Sequence, residues 1–388
     1  MLFDRLESLR SAQRKLLERI KPFGDGDIEV IPVENALGRI LASDVFSEID
    51  MPHYNRCAMD GYAVKSGMLR SAGRTNPILL KRETDAVWVH TGDSLPEGFD
   101  AVVKAEDTEE IGEVVAVYRS VRKYENVGLR GEDVSAGDVI AEKGKLLRPH
   151  DLALLRAAGI EKVEVFRKPR IKIVPTGDEL VKPGGELKPG KVIESNGLMV
   201  SAYINEWGGY AEKTEIVPDV REKIEEIFSD SERYDMIVTT GGTSVGKRDL
   251  LYQVVDGLGD VVFRGVALRP GKPTVFGLVN DTPVLGLPGF PSACVASAYL
   301  FLKPAILRMA GRDDGISFDV RITGKIYSKP GFTSFVRLKV DFETMNAEPV
   351  SSYGSGILSS VTRANAYTLV DENVEVVDEN EIVRAYLL

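Results

Sequence analysis

From Pro169 to Met309 the chain alternates between short apolar runs and amphipathic stretches, a pattern that few folds satisfy. Residues 170–174 read as a strand, Ser195-Asn196 caps a helix running to about Trp207, and residues 211–217 read as a second strand. Asp219 opens a helix through Phe228, the run Asp235-Met236-Ile237-Val238-Thr239-Thr240 is a buried strand, and another helix lies near 249–257. Two more strand-like runs, at 273–278 and 282–285, precede a helix over 292–309. Such alternation predicts a doubly wound α/β domain whose ligand site lies beyond the C-terminal ends of its strands.

The flanking segments have a different grammar. Apolar residues recur at helical spacing over residues 2–20, and Pro22, Gly24 and Gly26 end that helix. Residues 28–148 are short β-like runs separated by Gly, Asp and Pro turns, followed by a helix at about 150–158 and a strand at 163–166. Beyond a Gly-containing linker at 311–315, the runs at 320–326, 334–342, 367–370 and 375–377 predict a small all-β domain. The expected fold is therefore multidomain α/β plus β. Residues 1–168 form a β-rich N-terminal region with an inserted subdomain at about 50–145, residues 169–311 the α/β domain, and residues 316–388 the C-terminal β domain. A chain of 388 residues exceeds what one core organises, which agrees.

Composition removes several function classes. With 59 acidic against 49 basic residues the net charge is −10, which argues against a nucleic-acid or membrane-surface binder. Only Cys57 and Cys294 occur, far apart, so no disulfide framework or Cys-rich zinc site is expected. His53, His90 and His150 lack metal-ligand spacing and read as packing or hydrogen-bonding residues. The N-terminus has no signal-peptide pattern and no run of membrane-spanning length is expected, which predicts a cytoplasmic protein.

The hexapeptide Gly241-Gly242-Thr243-Ser244-Val245-Gly246 follows the buried strand and precedes a helix. A Gly-rich turn there lets backbone N–H groups converge on an oxyanion, with hydroxyls and a helix N-terminus adding to the attraction. It is not a P-loop, because Arg248 stands where that pattern needs a Ser or Thr hydroxyl for Mg²⁺. Carboxylates gather at neighbouring strand ends: Asp178 and Glu179 in Thr176-Gly177-Asp178-Glu179, then Asp219 and Asp249. Singly these read as turn or helix-cap residues. Beside an oxyanion loop they would repel a phosphate unless a divalent metal bridged them, so Mg²⁺ is the expected ion. Two stiff turns complete the set. Leu268-Arg269-Pro270-Gly271-Lys272-Pro273 offers two cations, and Gly286-Leu287-Pro288-Gly289-Phe290-Pro291-Ser292 places a rigid turn before a helix.

Taken together with Cys57-Ala58-Met59-Asp60-Gly61-Tyr62-Ala63, Thr91-Gly92, Gly131-Glu132-Asp133 and Ser195-Asn196, these segments resemble, end to end, the MoeA family of molybdopterin molybdenumtransferases, related to the E domain of gephyrin. The resemblance implies an enzyme of molybdenum cofactor biosynthesis. Such an enzyme takes adenylylated molybdopterin and molybdate, inserts the metal into the dithiolene, and cleaves the pyrophosphate bond with Mg²⁺ to release AMP. It implies catalytic roles for Asp60, Thr91, Glu179, Asp219 and Asp249, and metal binding by Asp178, Glu179 and Asp249. Substrate phosphate would be held by Ser195, Asn196, Gly241, Gly242, Thr243, Ser244 and Gly246, and the oxoanion by Arg269, Lys272, Pro288, Pro291 and Ser292. It further implies a homodimer with an intersubunit active site to which Asp60 and Thr91 contribute, and an upstream adenylyltransferase as a partner.

The chain departs from the family pattern in places. Pro175 stands where a Ser is common, Arg269 replaces a common Lys, Phe290 replaces a common Asn, and Ser292-Ala293 inverts the usual order. Tungstate is nearly the same size and charge as molybdate, so the sequence does not discriminate against a tungsten-inserting relative. Two other functions compete: a molybdopterin adenylyltransferase, which typically lacks the β-rich region and terminal β domain, and a non-catalytic dimeric scaffold.

Overall fold

In the computed structural model, which describes residues 6–243, 250–312, 316–350 and 358–388, the alternation beyond Pro169 builds a six-stranded sheet. Its spatial order is Tyr210–Lys213, Arg170–Pro175, Met236–Thr240, Thr282–Leu287, Val275–Val279 and Gly259–Arg264. The first four strands are parallel, and the last two run antiparallel to their neighbours. A purely alternating reading does not anticipate that edge. Asn280 and Asp281 both take positive φ (49° and 63°), the two-residue turn that closes a tight hairpin, so Val275–Val279 and Thr282–Leu287 pair directly.

Both sheet faces are covered, as the period-2 alternation of the central strand requires. Met236 and Val238 join a core with Ile204 and Phe301, while Ile237 joins an opposite core with Ile224 and Val254. The helix Pro291–Met309 is 19 residues long and apolar enough to pass for a membrane span, contrary to the expectation that no such run exists. Its most apolar window is 83% buried inside the protein, because it forms the central wall of the first core.

The contact pattern divides the chain into residues 28–165 and residues 1–27 with 166–388. The helix Leu9–Arg19, assigned by sequence to the N-terminal region, thus packs with the α/β domain: Leu9, Ala12, Leu16 and Ile20 are buried in its first core. Helical periodicity defines that apolar stripe but not what covers it.

In the unit 28–165, Gly61–Val64 is the middle of a three-stranded antiparallel sheet between Ala86–Val89 and Ala101–Lys104. Tyr62 and Val64 face one core while Ala63 faces another with Cys57 and Val102. A further core, with Val33, Leu41, Leu155 and Val165, draws on both ends of the unit.

The C-terminal strands close on themselves. Thr333–Asp341 pairs with Asn346–Pro349 and Ala366–Val370; Ser317–Ile322 pairs with Asn346–Pro349 and Ile382–Leu387; Ala366–Val370 pairs with Ile382–Leu387. This is a five-stranded barrel, which leaves few free edges. Its strand Thr333–Asp341 also accepts Leu268–Arg269 of the α/β domain in parallel register, Leu268 opposite Thr333 and Arg269 opposite Ser334.

Leu16, 1% exposed, tests where the first helix docks. Leu16→Ala is expected to cost about 2–5 kcal/mol through the cavity it leaves, lowering the urea midpoint of the unit containing the α/β domain. An unchanged midpoint would detach the helix from that core.

Candidate functional site

Several backbone segments converge at the C-terminal ends of the parallel strands, and glycine is what lets them approach. Gly241 (φ +125°) lies so close to Thr176 that a Cβ would fall 2.1 Å from the Thr176 carbonyl oxygen. A Cβ on Gly242 (φ +67°) would fall 2.8 Å from Thr176 Oγ1. A Cβ on Gly289 would fall 3.8 Å from the Gly241 Cα, and the Gly289 carbonyl accepts a 2.7 Å hydrogen bond from Asn196 Nδ2. The turns after three strands and the start of one helix therefore form a single crest.

That crest contains unused polar atoms. Thr176 Oγ1, Asn196 Oδ1 and Thr240 Oγ1 are buried and have no hydrogen-bond partner among the described residues. A buried polar atom left unsatisfied costs about 1–3 kcal/mol, so three in one place mark a position built for a polar ligand. Thr243, also buried, borders the same crest, its methyl lying against Gly286. Ser244, Gly246 and Asp249 lie outside the described residues.

The helix Asn196–Glu206 is not capped as expected. Ser195 occupies the N-cap position without a capping hydrogen bond; the buried Glu194 carboxylate instead accepts the Gly197 N–H and a 3.0 Å contact from Lys213 Nζ. Asp219 likewise does not cap its helix, which starts at Arg221 behind Val220. Its backbone N–H donates to Asp178 Oδ1 at 3.1 Å, joining the two acidic segments beside the crest. Glu179 is exposed and bends back over Gly177, where a Cβ would meet its carboxylate oxygens at 2.7 Å.

Among the described residues no cluster of three or more His, Cys, Asp or Glu is close enough to hold a metal. This donor set still suits Mg²⁺, which keeps several waters and takes one or two carboxylates with substrate phosphates. Asp178 and Asp219 are the described pair of that type.

On the other side of the 287–291 turn lies a cleft of about 980 Å³ between the α/β domain and the barrel. Arg269, Lys272, Pro288 and Ser292 line it, while Pro291 begins the helix just behind. At Gly271 (φ +130°) a Cβ would fall 2.5 Å from Leu268 Cδ2, so only glycine fits. Thr274 Oγ1 fixes the loop by donating to the Gly271 carbonyl at 2.7 Å.

The barrel adds cations that no motif disclosed: Lys325, Lys329 and Arg337. Arg337 is 5% exposed and donates to Ser360 Oγ at 2.8 Å. Burial, and then the like charge of Arg363, pull its pKa below the ordinary arginine value, so an anion in the cleft would favour its charged form. The signal available in sequence was a charge sharing strand parity with Phe335, on a buried face.

In the unit 28–165, Asp60 and Thr91 do come together. Asp60 Oδ1 accepts the Thr91 backbone N–H at 2.6 Å and its hydroxyl at 2.9 Å. Those two bonds, with a smaller contribution from His90, hold the Asp60 carboxyl below the usual carboxylate range. Cys57 and Cys294 are buried with thiol pKa values raised chiefly by desolvation, Cys294 to about 12, so neither supplies a thiolate.

If the crest holds a nucleotide phosphate, as the resemblance implies, Gly241→Ala is expected to weaken AMP binding by at least about fivefold, since strain of this kind costs on the order of 1–3 kcal/mol. Gly311→Ala is the control, at positive φ with open space around it. Equal AMP affinity in both variants, measured by calorimetry, would move the phosphate site elsewhere.

Three consecutive family profiles match the chain: MoeA N-terminal region (domain I and II) over residues 7–159, probable molybdopterin binding domain over 172–308, and MoeA C-terminal region (domain IV) over 319–388. A putative molybdopterin biosynthesis protein of Methanocaldococcus jannaschii is 36% identical, covering 100% of this chain and 99% of its own length. A molybdopterin molybdenumtransferase of Staphylococcus aureus is 31% identical over 88% of this chain and 86% of its own. The crystal structure of a molybdopterin biosynthesis MoeA protein from Pyrococcus horikoshii OT3 superposes with a TM-score of 0.85 at 30% identity, covering 99% of this chain and 100% of that one. Sequence and fold agree over the whole length, and the chain belongs to the MoeA family.

Proposed function

We propose that this chain is a molybdopterin molybdenumtransferase of molybdenum cofactor biosynthesis, which inserts molybdate or tungstate into adenylylated molybdopterin and releases AMP. The observation that carries this reading is that one turn, residues 287–291, borders both the crest with its unsatisfied polar atoms and the cationic cleft. A substrate with a phosphoanhydride at one end and a metal-accepting group at the other needs two such sites side by side. The Staphylococcus aureus relative, named a molybdopterin molybdenumtransferase, supports the same reaction class.

In this account the amide of Gly242, with Thr176, Thr240 and Asn196, binds the nucleotide phosphates, while the Gly241 amide ties the turn to the Leu287 carbonyl at 3.1 Å. Arg269, Lys272, Ser292 and Arg337 hold the tetrahedral oxoanion at fixed distance from the dithiolene. Asp178 and Asp219 hold Mg²⁺, with Glu179 and Asp249 as the further acidic groups. Bound Mg²⁺ neutralises charge on the phosphates. A carboxylate beside the anhydride orients water for attack on phosphorus and takes its proton, and the bond between the two phosphates breaks to free AMP. We infer a homodimer in which Asp60 and Thr91 of one copy complete the site of the other; the exposed, pre-ordered Asp60 carboxylate supports that role. We infer delivery of substrate by an adenylyltransferase, from the chemistry of an adenylylated substrate, and a cytoplasmic location, as the family resemblance implies.

Incubating the purified protein with adenylylated molybdopterin, Mg²⁺ and either oxoanion is expected to give oxoanion-dependent AMP release with metal retained on the pterin. The faster oxoanion identifies the preferred metal. Tight binding without turnover would indicate a scaffold, and pyrophosphate release from ATP and metal-free molybdopterin would indicate an adenylyltransferase.

A further inference from the structure

Two fully buried hydroxyls stand behind the cationic turn, and their protons can be placed. Thr274 Oγ1 and Ser297 Oγ lie 2.8 Å apart. Thr274 Oγ1 is also 2.7 Å from the Gly271 carbonyl oxygen, which receives the Thr274 backbone N–H at 3.2 Å as well. A carbonyl oxygen only accepts. The Thr274 hydroxyl proton therefore points at Gly271, and the contact with Ser297 is a bond that Ser297 donates and Thr274 accepts. Ser297, Thr274 and the Gly271 carbonyl form one directed chain in which both hydroxyl protons are used.

This chain joins two elements that both reach the cleft. Gly271 stands between Arg269 and Lys272, which line it, and Ser297 ends the helical segment Pro291–Ser297, whose first turn places Ser292 there. A Cβ on Gly271 would fall 3.1 Å from Ser297 Oγ, so the turn rests directly on that hydroxyl. Immediately after Ser297 the helix widens to a π turn over Ala298–Leu302, a distortion frequent at functional sites. The turn is closed further by the Val266 N–H on the Lys272 carbonyl at 2.9 Å and by the ladder of Leu268–Arg269 on Thr333–Ser334. Apolar side chains could fill this interior without any polar group to desolvate. A fully satisfied hydroxyl pair in their place adds direction and rigidity to the contact.

We propose that Thr274 and Ser297 are positioning residues that fix the spacing of Arg269 and Lys272 from Ser292, and that this spacing selects a large tetrahedral oxoanion over the smaller sulfate. The inference rests on the functional reading above, in which the cleft takes the oxoanion. Sulfate, molybdate and tungstate share shape and charge, so cations alone attract all three. They differ in radius, and discrimination needs a frame that does not close on the smaller ion. The hydroxyl chain supplies that frame from behind, without touching the ion.

Calorimetric titration of tungstate and of sulfate into the parent protein and the variants T274V, S297A and T274S tests this. The parent is expected to prefer tungstate. T274V keeps the side-chain shape but removes both hydroxyl bonds, and is expected to narrow that preference about tenfold, the scale of lost buried hydrogen bonds. S297A, which leaves the Thr274 bond to Gly271 in place, is expected to narrow it by less, and T274S, which keeps the hydroxyl, to retain it. AMP affinity, read at the crest, is expected to stay at the parent value in all three. A parent preference that survives in both T274V and S297A overturns the proposal, as does equal affinity of the parent for the two ions. Parallel losses of AMP and tungstate affinity overturn it too, since they mark a general structural defect. A parent that binds neither ion sinks the reading of the cleft as an oxoanion site, and the proposal with it.

Discussion

The short parallel ladder between Leu268–Arg269 and Thr333–Ser334 is the contact on which the proposed chemistry depends. It makes the strand that begins the cationic turn part of the barrel's sheet, so Arg269 and Ser334 are neighbours by backbone hydrogen bonding and not by side-chain chance. The cleft between the two domains inherits that rigidity. Aromatic packing reinforces it: Tyr299 from the helix that starts at Pro291 meets Tyr367 of the barrel edge to face, and Tyr367 is the cross-strand partner of Arg337. One wall of the cleft therefore cannot shift without moving the other.

The remaining constraint is the close approach of Gly241 to Thr176. Where two backbones nearly touch at the end of a sheet, no side chain intervenes, and the buried hydroxyls beside them find no partner among the described residues. The 287–291 turn links this crest to the cleft, which in the proposed function makes one elongated site of two anion sites.

The local features of this site were legible in the sequence because they depend on local chemistry. A Gly-rich turn after a buried strand, an acidic turn after another and two Pro-stiffened loops each announce themselves within a few residues. What could not be read was set by distant partners. The first helix shows its apolar stripe but not its partner core, and the strands Asn346–Pro349 and Ile382–Leu387 gain their identity only by closing the barrel. Glu194 was invisible as a cap, because a Ser occupied the obvious position one residue later. Arg337 belongs to no motif and becomes meaningful only when the ladder brings its strand beside Arg269. The hairpin turn Asn280-Asp281 did carry a readable signal, since both residue types tolerate positive φ.

At the centre of the proposed mechanism is one elongated site that would bind a nucleotide phosphate and an oxoanion at separate, adjoining positions. Crystals soaked with tungstate and AMP together would test it through the anomalous signal of tungsten. A tungsten peak is expected in the cleft within hydrogen-bond distance of Arg269, Lys272, Ser292 or Arg337, with the AMP phosphate on the crest of Thr176, Gly241 and Gly242. Tungsten on the crest, competing with AMP for one position, would contradict it.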